Sequence, residues 1–285
     1  VEYNWHGGEP LIMGLDFYER VLYYQKKYRQ GPEHHIINTM QTNGTLITDD
    51  WIKLFSEYFV SIGISVDGAD YESNKARFSD EKIYKKMISN LDLVLNSNLY
   101  TSIFITLGRH NIDKIDEIFK FIEEKKPNGF YINPIKKKIG NELSVNEWLE
   151  IIEKMDEFSK RTGIENSLTP QIQRAINGEI PSLCMLNGAC NKFINMNVDG
   201  EIFKTCVFQS QSNYLGNIDE DNIKNKIIEY IDHIQIPSLD SFYNRLSKDD
   251  RFIYMQGDGC SNFRGSNNNS VYVNGIIEYI KNIIQ

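Results

Sequence analysis

Apolar residues in the first half of the chain follow two alternating rhythms. Short runs rich in Ile, Val, Phe and Tyr, bounded by turn residues, read as strands at Val1–Trp5, Ile36–Met40, Ser61–Val66, Tyr100–Leu107 and Gly129–Ile135. Longer segments between them read as helices near Asp16–Arg29, Thr48–Phe59, Asp80–Asn96 and Asn111–Lys125. In the last of these, Ile112, Ile115, Ile118, Phe119 and Ile122 recur at three-to-four spacing and make one apolar face. Thr48 ahead of Asp49-Asp50 is placed to cap its helix, with acidic residues suiting the positive end of the helix dipole. Strand–helix repetition of this kind implies an α/β fold of parallel strands joined by right-handed crossovers.

In such folds, binding groups gather at the C-terminal ends of the strands. Those ends carry His6-Gly7-Gly8-Glu9-Pro10, then Gln41-Thr42-Asn43-Gly44, then Ser65 with Asp67-Gly68. Two glycines present backbone that a ligand can approach closely, Glu9 offers a carboxylate to an ammonium group, and Pro10 fixes the turn. The combination predicts a small cradle for a zwitterionic or amine-bearing ligand, the alternative being an ordinary strand–helix turn. His6 is read either as a ligand contact or as a structural rim residue, and His34 and His35 as exposed.

Near Asn141 the pattern changes. Ser144–Arg161 reads as a helix opened by a capping box between Ser144 and Glu147. Farther on, Phe193–Val198, Asp199-Gly200 and Glu201–Cys206 read as a hairpin with a tight Asp-Gly turn. Asn222–Ile234 and Asn274–Ile284 look helical. The four cysteines, Cys184, Cys190, Cys206 and Cys260, all fall in the last third of the chain. Such clustering favours metal over disulfides, although free cysteine also packs as a small buried hydrophobe.

Composition narrows the partners. A 41% hydrophobic share in 285 residues can build a substantial core, and a formal net charge of −8 argues against nucleic acid. The basic run Lys136-Lys137-Lys138 reads as a solvated loop. No apolar stretch approaches the roughly 20 residues of a membrane span, and no signal peptide is visible, so a cytoplasmic protein is expected. Because Val1 stands where Met would and already opens a strand, the natural N-terminus is expected upstream.

The string Asn4-Trp5-His6-Gly7-Gly8-Glu9-Pro10-Leu11, with Gly14, Phe17 and Tyr18, resembles the Gly-Gly-Glu-Pro motif after the second strand of radical S-adenosylmethionine (SAM) enzymes. Gln41–Leu46 and Gly63–Gly68 resemble the exits of the third and fourth strands. Cys184, Asn187-Gly188, Cys190, Asp199-Gly200, Cys206 and Leu215–Ile218 resemble the start of a SPASM auxiliary-cluster domain. The nearest likeness is to anaerobic sulfatase-maturating and other peptide-maturing members. It implies a partial (β/α)6 TIM-like barrel lacking its first strand over residues 1–140, a helical connector over 141–183, and a small α+β SPASM-like domain over 184–285.

The resemblance also implies site residues. Gly7, Gly8 and Glu9, positioned by Pro10, would hold the SAM amino group. Ser65 would lie by the ribose or carboxylate, Arg77 would pair the carboxylate through its fork, and Ile135 would pack on adenine. The plainer alternatives are a surface Arg77 and a core Ile135. A [4Fe–4S] cluster, a peptide or protein substrate, and an electron donor such as flavodoxin or ferredoxin are implied with them.

Three departures qualify this. The C-x3-C-x2-C loop that holds the radical-generating cluster does not occur in residues 1–285, and is expected upstream of Val1. Where SPASM domains carry further cysteines, Gly257, Ser266 and Ser270 stand beside Cys260, which excludes two complete auxiliary clusters. Cys184, Cys190, Cys206 and Cys260 could serve one cluster, or a zinc ion. Val207 occupies the place of the Asp that acts as base in sulfatase maturases, so another peptide is the expected substrate. The competing readings are a cluster-less relative that binds peptides or nucleosides, and an unrelated (β/α) protein with structural cysteines.

Overall fold

The structure, a computed structural model, describes residues 1–135, 140–177, 179–183, 193–204, 211–234 and 271–284. The chain divides into two compact units, Val1–Ser167 and Leu168–Gln285.

The first unit is built on a parallel sheet of six strands in sequential order. These are β1 (Glu2–Trp5), β2 (Ile37–Thr42), β3 (Val60–Ser65), β4 (Thr101–Leu107), β5 (Gly129–Pro134) and β6 (Glu165–Asn166). Helices α1 (Leu15–Lys27), α2 (Asp49–Glu57), α3 (Tyr71–Asn74), α4 (Glu81–Leu95), α5 (Ile115–Lys125) and α6 (Val145–Thr162) alternate with them. Successive right-handed crossovers that always advance in one direction stack these helices on one sheet face, as in a barrel.

Alternation within the strands shows which face is covered. Met40, Ile62, Ile64, Ile103, Ile105, Phe130 and Ile132 are each at most 3% exposed. They meet the apolar faces of the helices, where Leu22, Phe55, Met87, Leu91, Ile118, Ile122, Trp148 and Ile152 are also buried. The isoleucine stripe of α5 packs as its spacing predicts, with Ile118 and Ile122 fully buried; Ile112 falls in a preceding 3-10 turn, Ile112–Lys114.

Two caps contrast. Ser144 Oγ accepts from the Glu147 amide while Glu147 Oε2 accepts from the Ser144 amide, so the capping box of α6 is present. Thr48 has the extended backbone of an N-cap, but its side chain makes no capping bond, and α2 relies on Asp49 and Asp50. The expected five strands are joined by the two-residue β6, which extends the sheet past β5.

The second unit contains a helix α7 (Thr169–Ile176) and an antiparallel sheet of β7 (Asn195–Met196), β8 (Glu201–Phe203) and β9 (Tyr214–Asn217). The hairpin forms with a wider loop than the tight Asp-Gly turn expected. Gly200 alone in that loop takes positive φ, at 76°, whereas Asp199 does not. Asn197 is the reason: its Oδ1 accepts from the amides of Asp199 and Glu201, closing a four-residue loop. Helices Ile223–Asp232 and Val271–Ile284 complete the described part. Among the described residues, no helix is long and apolar enough to cross a membrane. Lys136-Lys137-Lys138, Val207, Gly257, Ser266, Ser270 and all four cysteines lie outside the described residues.

Candidate functional site

The C-terminal ends of β1, β2, β3, β4 and β5 share one rim of the parallel sheet, and the residues singled out in the sequence stand along it. After β1 the chain turns through Gly7 at φ 92° and Gly8 at φ 56°, values that disfavour a side chain. Both are exposed, and a Cβ built at either would meet nothing within 4 Å. The peptide groups here thus face open space on the rim. His6 is exposed beside them.

Glu9 is turned into the protein. Its Oε1 accepts from Thr42 Oγ1 at 2.6 Å and from the Leu11 amide at 3.1 Å, and its Oε2 accepts from the Asn43 amide at 2.8 Å. A carboxylate has about four lone-pair sites, so these bonds leave little of it for a ligand. Its evident work is to clamp the β1 exit to the β2 exit. Pro10 is buried at the start of the 3-10 turn Pro10–Met13, and its carbonyl accepts from the Tyr18 hydroxyl at 3.1 Å. Burial and then the Glu9 carboxylate push the Tyr18 phenol up to about 12, so it remains a donor at neutral pH. Trp5, half-buried just before the glycines, donates from Nε1 to Asn38 Oδ1 and packs edge-on against Tyr18.

The β3 exit is organised by buried polar groups. Asp67, 4% exposed, accepts from Arg77 Nε at 2.6 Å and Nη2 at 3.0 Å, and from the Thr106 amide at 2.7 Å. Arg77 Nη2 also donates to Thr106 Oγ1 at 3.0 Å. Two asparagines with no exposed surface hold the loop itself. Asn74 accepts from the Asp67 amide and donates to the Gly68 and Asp70 carbonyls. Asn111 donates to the Asp67 and Thr106 carbonyls and accepts from the Gly108 amide.

Ser65 is buried, with Gln41 Nε2 at 3.4 Å from its Oγ. Ile135 is half-buried beyond the end of β5, its amide donating to the Leu107 carbonyl at 2.7 Å. Arg77 is thus neither a free surface residue nor an unengaged fork: one edge is taken by Asp67, while its side chain stays 27% exposed. His34, expected to be exposed, is half-buried and its Nδ1 accepts from the Gln30 amide.

Sequence reasoning did not assign Asn74, Asn111, Thr106 or the Asp67–Arg77 pair. A further feature lies on the sheet face turned away from the helices. Phe104 and Tyr131 stack in parallel with centroids 4.2 Å apart, and a Cβ at Gly63 would lie 2.3 Å from the Phe104 ring. Gly63 thus makes room for this aromatic floor. Among the described residues no group of three His, Cys, Asp or Glu side chains could hold a metal ion.

An open diglycine turn on the rim of sequential parallel strands, with Arg77 held by the buried Asp67 two strands farther on, lies within a match to the family model of the radical SAM superfamily over residues 1–122. Over this stretch the chain is similar to radical SAM enzymes. The cysteine-type anaerobic sulfatase-maturating enzyme of Clostridium novyi (strain NT) is 24% identical over 76% of this chain and 62% of its own length. The serine-type anaerobic sulfatase-maturating enzyme of Bacteroides thetaiotaomicron is 30% identical over 49% of this chain and 34% of its own length. The chain therefore spans less than two thirds of either protein. The solved structure of native anSMEcpe with bound AdoMet and Kp18Cys peptide superposes with a TM-score of 0.76 at 23% identity, covering 99% of this chain and 84% of that one. At that identity the likeness shows the fold alone.

Proposed function

We propose that this chain is the greater part of a radical SAM enzyme of the SPASM-bearing type that modifies a peptide or protein side chain. The observation that carries the reading is the exposed Gly7–Gly8 turn, whose backbone opens onto the rim with no side chain in the way.

The residues present fit SAM. Its amino acid end is a zwitterion, and the rim offers unshielded peptide groups at Gly7 and Gly8 for the ammonium, with Glu9 and Pro10 fixing the turn that presents them. Arg77 supplies a fixed positive charge for the carboxylate, Ser65 a hydroxyl for the ribose or carboxylate, and Ile135 an apolar side chain for adenine. When bound, SAM supplies, on one-electron reduction through a [4Fe–4S] cluster, a 5′-deoxyadenosyl radical able to take hydrogen from a peptide. This chain's own residues bind and orient the cofactor. Cys184, Cys190, Cys206 and Cys260 are proposed as auxiliary metal ligands, for one cluster or for zinc. The solved relative holds both AdoMet and a peptide, which supports a peptide as substrate here. Val207 cannot accept a proton, which favours a peptide other than a sulfatase. A small redox protein such as flavodoxin or ferredoxin would donate the electron.

Anaerobic reconstitution of the protein expressed from its complete gene tests this. Iron near four per chain and SAM-dependent release of 5′-deoxyadenosine are expected. SAM binding without iron, or with zinc alone, would instead support a cluster-less binding protein, the reading favoured by Gly257, Ser266 and Ser270 where thiolates are expected. Absence of SAM binding at millimolar concentration overturns both.

A further inference from the structure

We infer that Asp67 is a positioning residue for Arg77, holding its guanidinium so that one nitrogen faces the carboxylate of a bound zwitterion. The inference rests on the SAM reading and concerns how that site selects its ligand.

Geometry carries it. A guanidinium presents five N–H donors in a fixed plane. Asp67 takes the Nε and one Nη2 donor in a two-point contact, and Thr106 Oγ1 takes the other Nη2 donor. Nη1 has no hydrogen-bond partner among the described residues, although the side chain is 27% exposed on the rim. The orienting acid is itself immobile. Asp67 is 4% exposed, its amide and carbonyl are bonded by Asn74 and Asn111, and its Oδ1 also accepts from the Thr106 amide. An arginine on a flexible four-atom stem would lose much rotamer freedom on meeting a ligand; here that ordering is already done by the protein. The Asp67 charge also cancels that of Arg77 at longer range. A carboxylate is therefore attracted when it bonds Nη1 directly, and inorganic anions passing at a distance are not concentrated.

Decarboxylated SAM, which keeps the sulfonium and the amine but lacks the carboxylate, separates this from a merely structural role. In equilibrium binding to the complete gene product, the wild type is expected to prefer SAM over decarboxylated SAM by about tenfold. Asp67→Asn retains an acceptor for the Thr106 amide but turns an amide N–H₂ towards Arg77. It should lose most of that preference while binding decarboxylated SAM as the wild type does. Arg77→Ala should lose the same preference, and the double variant should be no worse than either single. Thr106→Val removes one guanidinium contact without touching Asp67, and should give a smaller loss in the same direction should Asp67→Asn fail to fold. Equal weakening of both ligands by Asp67→Asn, or tighter SAM binding, overturns the positioning role. A wild type that binds the two ligands equally overturns the Arg77–carboxylate contact and leaves the SAM reading standing. A wild type that binds neither overturns that reading as well.

Discussion

The exits of β1 and β3 lie on the same rim and are built in opposite ways. At the β1 exit the backbone of Gly7 and Gly8 is left bare, and one carboxylate, Glu9, ties the turn to its neighbour. At the β3 exit, Asp67, Asn74 and Asn111 are buried and bond the backbone of the loop and of the adjoining β4 exit. A binding rim needs both kinds of construction: groups free to meet a ligand, and a support that keeps them from meeting each other. The β1 exit leaves its backbone free for a ligand, while the β3 exit uses buried polar groups to fix the loop that carries Arg77.

Substitutions should separate the two. The largest effect is expected for Asn111→Leu, which leaves the Asp67 and Thr106 carbonyls and the Gly108 amide buried without their partner; about 3 kcal/mol or more of stability should be lost in urea unfolding. Gly8→Ala at the other exit should cost only about 1 kcal/mol, from its positive φ, yet weaken SAM binding by more than Asn111→Leu does per unit of stability lost. Comparable stability losses at the two positions would break the comparison. Glu9→Gln should fall between them, at about 1–2 kcal/mol, since the new amide N–H₂ must face a donor, Thr42 Oγ1 or the Asn43 amide.

The smallest expected effect is electrostatic. The Arg109 guanidinium, followed by the Ser144 amide and hydroxyl, holds the Glu147 carboxyl down at about 2, against an ordinary value of 4.5. The folded state therefore binds this proton less readily than the unfolded chain. The stability it contributes is present above pH 4.5 and is lost as pH falls from there towards 2. Glu147→Gln should flatten that part of the stability–pH curve without altering SAM affinity at neutral pH. An unchanged acid limb would show that the Arg109 pair is too well solvated to matter.

Much of the first unit could be read from the sequence because its signals are repetitive. Isoleucine spacing in α5 and the turn-bounded runs of β2 and β3 each give several residues voting for one element. The diglycine turn was legible for a different reason: glycine pairs after a strand have few uses. Elements that escaped are too short to carry a period. Glu165–Asn166 is two residues long and is a strand only because Gly129 and Phe130 of β5 stand beside it. Tyr71–Asn74 is a single turn whose signal, Asp70 three residues before Ser73, was available in the sequence as a cap. The partners of Asp67 are ten and thirty-nine residues away, and nothing in local pattern links them. Glu9 follows β1 in the sequence, but its side chain answers to Thr42 and Asn43 across the strand gap, and a carboxylate's direction has no one-dimensional signature. The Asp-Gly hairpin widened because Asn197, just ahead of the turn, competed for its amides.

The placement of Trp5 has a practical consequence. Of the three tryptophans, Trp51 and Trp148 are buried at 5% and 0% exposure, whereas Trp5 is half-buried two residues before Gly7 and hydrogen-bonded through its indole. Two of the chromophores are thus shielded from solvent, and the third stands at the mouth of the turn. The chain carries its own optical gauge of that turn, in which the red-edge emission belongs to the residue whose surroundings a bound molecule would change.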